Sequence, residues 1–250
     1  MKKDNFIFGL HPVIEAIKSG KELDRVLLRK NLRGESFREL FNLIREFEIP
    51  FQFVPAEKLN RLSKQNHQGV IAWITDITYQ KIEDILPLLY ERGSVPLLLL
   101  LDGITDVRNM GALARTAECA GVNTIVIPLK GSAMINSEAI KTSAGALYKV
   151  PVCRTANVKE SIRLMKESGL QIIAATEKGG RSYTSIDFTS PLVLIMGSEG
   201  TGISDELLNL CDERISIPLA GEIESLNVSV AAGILLFEII RQRNNPHVHR

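Results

Sequence analysis

The sequence predicts an α/β chain in two parts, a small α/β unit followed by a larger, mostly parallel sheet with helices on both faces. Three observations predict it. From residue 95 onward, fully apolar runs of strand length alternate with helical segments, the pattern of strands buried on both faces. Residues 5–78 alternate shorter helix and strand signals, enough for a compact unit of their own. Between them, residues 79–94 carry one amphipathic segment, broken by Pro87 and ending at Gly93, which reads as a linker. The expected division is therefore 1–78, 79–94 and 95–250.

In order, residues 11–19 predict a helix, with Pro12 in its first turn and Gly20 after its end. Residues 26–28 predict a strand. Residues 35–47 place Phe37, Leu40, Phe41, Ile44 and Phe47 at helical spacing, and Pro50 ends that segment. A strand at 51–54, a short helix through Leu59 and Leu62, and a strand at 68–75 complete the small unit. The polar turn Asn66-His67-Gln68-Gly69 before that strand is either a plain turn or an exposed set of amides and imidazole for RNA contact.

In the larger part, strands are expected at 95–101, 124–127, 150–153, 172–175, 192–196 and 215–219. Helices are expected at 109–120, 137–147, 158–168 and 205–210. Pro218 should end the last strand or confine it to an edge. After it comes a helix, 228–240, that is apolar on nearly every side, with Ala231, Ala232 and Gly233 allowing close approach of another backbone. Such a helix belongs in a core or a subunit interface. Ser225 or Asn227 can cap it.

With 250 residues, 45% hydrophobic and 24% charged, the chain is globular rather than disordered. Its longest apolar run is of strand length, and the N-terminal residues lack the apolar core of a signal peptide, so a cytoplasmic protein without a membrane anchor is expected. Cys119, Cys153 and Cys211 are odd in number and far apart, and two of the four histidines, His247 and His249, sit in a polar tail. Neither a disulfide framework nor a metal site is expected. Residues 1–78 carry 13 Lys and Arg against 10 Asp and Glu, a mild basic excess compatible with a polyanion partner.

Ligands of parallel sheets collect beyond the carboxyl ends of strands, and three such ends carry polar residues here. The first runs from Asp102 through Asn109 and Gly111 to Arg115 and Thr116. The second is Gly197-Ser198-Glu199-Gly200-Thr201-Gly202, whose GxxGxG spacing is wrong for a dinucleotide fingerprint. Glu199 would repel a phosphate and suits a ligand with hydroxyls or a positive centre, which disfavours ATP and a nicotinamide-dependent oxidoreductase. The third runs from Leu219 to Ser225 and Asn227. Arg115 is either a surface ion-pairing residue or a forked donor for a phosphate or a developing charge.

These three segments resemble the motifs of the SpoU (TrmH-type) RNA ribose 2′-O-methyltransferases of the SPOUT superfamily: Asn109-x-Gly111-x-x-x-Arg115-Thr116-Ala117, then Met196-Gly197-Ser198-Glu199-Gly200, then Ile217-Pro218-Leu219 through Ser225-Leu226-Asn227-Val228-Ser229. One departure is Val107, where the family usually has proline. Residues 5–78, with Gly9-x-His11-Pro12-Val13 and His67-Gln68-Gly69-Val70, resemble the family's L30e-like RNA-binding domain. The two-domain layout is most similar to the bacterial 23S rRNA guanosine 2′-O-methyltransferases. The resemblance implies an α/β-knot, a mostly parallel sheet with a deep trefoil knot, against the general rule that chains are unknotted. It also implies S-adenosyl-L-methionine as cofactor and a homodimer that completes the site. It places Arg115 at the ribose, with Asn109, Glu199, Asn227 and Ser225 as further catalytic candidates, and Gly197, Ile217, Leu219, Leu226 and Ser229 at the cofactor. Arg29, Lys30, Arg33 and His67 are the candidates for RNA contact. The expected activity is methylation of a guanosine ribose in 23S rRNA. The alternatives are a tRNA ribose methyltransferase and a non-catalytic RNA-binding protein of the same fold.

Overall fold

The computed structural model describes residues 6–177, 179–198 and 200–244. The chain divides into two compact units, Met1–Thr78 with Met134–Ser137, and Tyr79–Ala133 with Glu138–Arg250.

The small unit runs β1 (Phe6–Phe8), α1 (Leu10–Lys18), β2 (Leu23–Arg29), α2 (Glu35–Glu46), β3 (Phe51–Val54), α3 (Ala56–Leu62) and β4 (Val70–Ile74). Its sheet has the order β1-β4-β2-β3, antiparallel except for the β2–β3 pair. Strand alternation sorts the side chains onto two faces. Val26, Leu28, Val70 and Ala72 pack with Val13, Ile14, Ile17, Leu40 and Ile44 of α1 and α2. Leu27, Val54 and Ile71 pack with Leu59 of α3.

The larger unit runs β5 (Tyr79–Gln80), α4 (Ile82–Glu91), β6 (Leu97–Leu101), α5 (Val107–Cys119), β7 (Thr124–Pro128), α6 (Ser137–Thr142), β8 (Val152–Thr155), α7 (Val158–Glu167), β9 (Gln171–Ala175), β10 (Arg181–Ser182), β11 (Leu192–Met196), α8 (Asp205–Leu208), β12 (Glu213–Ser216) and α9 (Val228–Asn244). The eight strands pair in the order β10-β12-β9-β11-β6-β7-β8-β5, every neighbouring pair parallel. Both faces are covered, which is why the five leucines of β6 are all buried. Leu98 and Leu100 face the cluster built with α4 and α7, through Ile82, Leu86, Ile162 and Met165. The alternate leucines face the opposite side, where α5 and α9 pack together.

Three expectations need correction. Residues 79–94 are not a linker. β5 pairs with β8, and α4 buries Ile82, Ile85, Leu86 and Leu89 in the core of the larger unit. Pro87 does sit inside α4, but on its exposed side. A proline there costs about 3 kcal/mol, whereas four buried aliphatic side chains contribute about 1.5–3 kcal/mol each, so packing wins. The expected helix at 137–147 stops at Thr142, because Ala144 takes a left-handed backbone (φ 50°) and the chain continues as a short 3-10 turn, Ala146–Tyr148. The last strand ends at Ser216 instead of 219: Pro218 has no N–H to continue the ladder, and Ile217 leaves the sheet. Among the described residues, no helix is long and apolar enough to cross a membrane.

Candidate active site

The carboxyl ends of β12, β9 and β11, neighbours in the sheet, open into a cavity of about 740 Å³ including its solvent-facing mouth. Its apolar wall is Met196, Ile203, Ile215, Ile217 and Leu235. Its polar rim is Thr176, Glu177, Ser198, Ser216, Glu224 and Ser225. Among the described lining residues there is no lysine, arginine or histidine, and the only ionisable groups are the two glutamates. Such a cavity rejects phosphate and suits an apolar ring carried by a ligand with hydroxyls or a positive centre. Five residues expected at the site line it: Gly197, Ile217, Leu219, Ser225 and Leu226.

The loop after β11 closes on itself. Ser198 and Gly202 exchange backbone hydrogen bonds of 3.2 and 3.0 Å, and the Ser198 hydroxyl accepts from the Thr201 N–H. This folding brings Gly202 and Ile203 so close to Gly197 that a Cβ on Gly197 would lie 2.2 Å from the Gly202 carbonyl carbon. Only a glycine fits, so this position is a matter of close backbone approach. Glu199 lies outside the described residues.

Beside the cavity, α5 and α9 begin close together. Asp106 caps α5: its carboxylate accepts from the N–H groups of Arg108 and Asn109 at 2.8 and 2.9 Å. Val107 is thus the first helical residue, where proline is favoured because that N–H has no helical partner. Valine there leaves the cap intact. Asn227, and not Ser225, caps α9 by accepting from the Ser229 N–H at 3.0 Å. The Asn227 side-chain amide donates to Asn109 Oδ1 at 3.1 Å, joining two residues 118 apart in sequence. The Ser229 hydroxyl also donates to Asn227 Oδ1. Ser229 is not among the residues that line the cavity; its hydroxyl takes part in the cap.

Gly111 and Thr116 explain the rest of that motif. A Cβ on Gly111 would lie 2.6 Å from Thr142 Cβ and 2.7 Å from the Ala139 carbonyl oxygen, so α6 packs on α5 only because this residue is glycine. Thr116 faces Gly233 of α9. Arg115, about 100° round the helix from Thr116, is exposed and makes no hydrogen bond or ion pair with any described residue. The structure therefore brings Asn109, Asn227 and Ser229 together, and gathers Gly197, Ile217, Leu219 and Leu226 of the cofactor candidates in the cavity. It leaves Arg115 as a free guanidinium on the outer side of α5.

The sequence reading missed Thr176, Glu177 and Glu224. The first two follow β9 as an ordinary strand end, and only the sheet order, with β9 between β12 and β11, reveals that they face the cavity.

In the small unit, Arg29, Lys30 and Arg33 are exposed in and after the end of β2. His67 is committed to its turn: Nδ1 accepts from the Gly69 N–H at 3.0 Å, which puts the ring proton on Nε2, 2.9 Å from Asn60 Oδ1. His67 thus holds local structure with both nitrogens. Among the described residues no three His, Cys, Asp or Glu side chains are grouped as a metal site.

Comparison with known proteins gives the following. Residues 96–237 match the model of the SpoU rRNA methylase family, and residues 6–80 match that of the RNA 2′-O ribose methyltransferase substrate-binding domain. A Bacillus subtilis protein named as a TrmH family tRNA/rRNA methyltransferase, YacO, is 32% identical over 97% of this chain and 98% of its own length. A Staphylococcus saprophyticus protein named as of the same family is 34% identical over 95% and 96%. Among solved structures, an S-adenosylmethionine-bound rRNA methyltransferase from Sinorhizobium meliloti superposes with a TM-score of 0.61 at 26% identity, covering 95% of this chain and 87% of that one. The SpoU methyltransferase AviRb from Streptomyces viridochromogenes shares the fold, with a TM-score of 0.61 at 24% identity over 96% and 90%.

Proposed function

The chain belongs to the SpoU/TrmH family of RNA methyltransferases, and from that membership we propose that it methylates a ribose 2′-hydroxyl of RNA, with a guanosine of 23S rRNA as the target. S-adenosyl-L-methionine is the methyl donor. The observation that carries the reading is the cavity at the ends of β12, β9 and β11, lined by Gly197, Ile217 and Leu226, beside the Asn109–Asn227 contact on the helix that bears Arg115. The donor set fits the cofactor. The apolar wall takes a purine ring, the rim carboxylates suit ribose hydroxyls and cationic groups, and the Gly197 turn presents bare backbone.

When bound, the cofactor supplies a methyl group already activated on a sulfonium. The residues of the chain contribute position and charge. Gly197, Ile217 and Leu226 offer backbone groups and no polar side chain, so they hold the adenosyl part through the main chain. Asn109 and Asn227, bonded to each other, fix the start of α5 against the start of α9. A guanidinium offers N–H donors and no acceptor, so Arg115 has no lone pair with which to take a proton. It therefore serves as phosphate clamp and as stabiliser of the alkoxide developing on the 2′-oxygen, not as the base. Glu199 is kept, on its motif alone, as a further orienting group. Arg29, Lys30 and Arg33 of the small unit attract the RNA backbone.

A homodimer accounts for the apolar surface that one chain leaves open. Val230 and Phe237 of α9 are 51% and 53% exposed, on the same helix that buries Val228, Ala232, Leu235, Leu236 and Ile239. The trefoil knot is part of the same proposal. Its support is membership of the family.

Mapping 2′-O-methyl marks on total RNA from cells with and without the gene tests the reading. One guanosine mark in 23S rRNA should vanish. A mark lost from tRNA would favour the second substrate that the relatives' names include, and no lost mark would reject the activity. Deleting residues 1–78 should reduce methylation of rRNA but leave cofactor binding intact.

A further inference from the structure

We propose that Glu177 and Glu224 tune the cavity by charge, so that it holds a cationic ligand more tightly than its neutral counterpart. The proposal rests on reading this cavity as the cofactor site. Glu177 lies just beyond the carboxyl end of β9, and Glu224 lies in the loop ahead of α9, so the two reach the cavity from separate parts of the chain. Both are exposed, and neither makes a hydrogen bond or ion pair with a described residue. No cationic side chain among the described lining residues offsets them. The opposing field is that of the α9 N-terminus, where Val228 lines the cavity. A helix start carries about half a positive charge, and there Asn227 already satisfies the Ser229 N–H. Two carboxylates outweigh it. The apolar wall of Met196, Ile203, Ile215, Ile217 and Leu235 excludes water on one side and concentrates the negative potential in the cleft.

This charge distinguishes the two ends of the reaction. On transfer the sulfur–methyl bond breaks, the oxygen–methyl bond forms, the sulfur keeps the bonding pair and loses its charge, and the hydroxyl proton leaves to solvent. The carboxylates attract the sulfonium that enters and have no charge on sulfur to attract in the thioether that must leave. They therefore favour loading over product retention. Because both groups are exposed, the expected effect is that of a solvent-screened ion pair, about two- to fivefold in affinity for each.

Calorimetric titration of the full chain with S-adenosylmethionine and with S-adenosylhomocysteine tests this, at low and at high salt. Glu177→Gln and Glu224→Gln should each weaken the sulfonium ligand by about two- to fivefold and change thioether affinity less than twofold, with the difference shrinking at high salt. Glu177→Lys should lower the ratio of the two affinities further. A variant that weakens both ligands equally would show a contact made to their common part and would overturn the proposal, as would an unchanged ratio in all three variants. If the unaltered chain binds neither ligand, it is the reading of the cavity that fails.

Discussion

Gly197→Ala is the sharpest test of the cofactor loop. The added Cβ would lie 2.2 Å from the Gly202 carbonyl carbon, 2.4 Å from the Ile203 nitrogen and 2.6 Å from the Gly202 oxygen. All three are backbone atoms, so no side chain can swing away. Ordinary carbon contacts are about 3.5–4.0 Å, so the loop must open by more than about 1 Å. Opening breaks the two Ser198–Gly202 backbone bonds and strains the bond from the Thr201 N–H to the Ser198 hydroxyl. At about 1 kcal/mol net for each, closing the loop again around a ligand costs about 2–3 kcal/mol. That is roughly a 30- to 150-fold loss of affinity. Gly200→Ala is the internal control, because a Cβ there meets nothing within 4 Å and its backbone is not left-handed. Titration with S-adenosylhomocysteine should show that loss for Gly197→Ala and wild-type affinity for Gly200→Ala. Binding by Gly197→Ala within threefold of wild type would refute the argument that close approach, and not sequence custom, sets this glycine.

Other perturbations separate chemistry from architecture. Arg115→Ala should bring methyl transfer to background while leaving cofactor affinity within a few-fold, because Arg115 does not line the cavity; loss of calorimetric cofactor binding would contradict its assignment. Arg243 donates to the carbonyls of Val95, Pro96, Phe188 and Ser190 at 2.8–3.1 Å, tying the end of α9 to the chain entering β6 and β11. Arg243→Met leaves those acceptors without their charged donor and should cost about 3–5 kcal/mol in urea unfolding. Arg241→Ala, which removes a solvent-screened pair with Glu238 on the same helix, should leave the urea midpoint close to that of wild type. Burial pushes the Cys153 thiol up to about 11 from an ordinary value near 9. The unfolded chain therefore ionises first as pH rises, and stability falls between about pH 9 and 11, by a few kcal/mol at most from this group (about 1.4 kcal/mol for each unit of pKa). Urea midpoints of Cys153→Ala measured against wild type across that range should isolate the loss, and parallel curves would exclude it.

How much of this could be read in advance follows from the range of each interaction. The β6 leucines and the alternation of α2 are local patterns, and local patterns survive in sequence. The Pro87 signal at α4 is just as local, while the burial of Ile85 and Leu89 that overrides it depends on α7 and β8, which are distant in sequence. Motif residues were legible as a set but not by task. Gly111 is required by Thr142 on another helix, and Asn227 is required both by its own helix and by Asn109. Thr176 and Glu177 carried no signal, since a polar residue after a strand is common; they become site residues only because the sheet sets β9 between β12 and β11, while Glu224 reaches the cavity from the loop ahead of α9. A parallel sheet with crossed connections converts strand ends far apart in the chain into one rim. The apolar wall can therefore be guessed from composition, whereas the charge of the rim has to be read from the strand order.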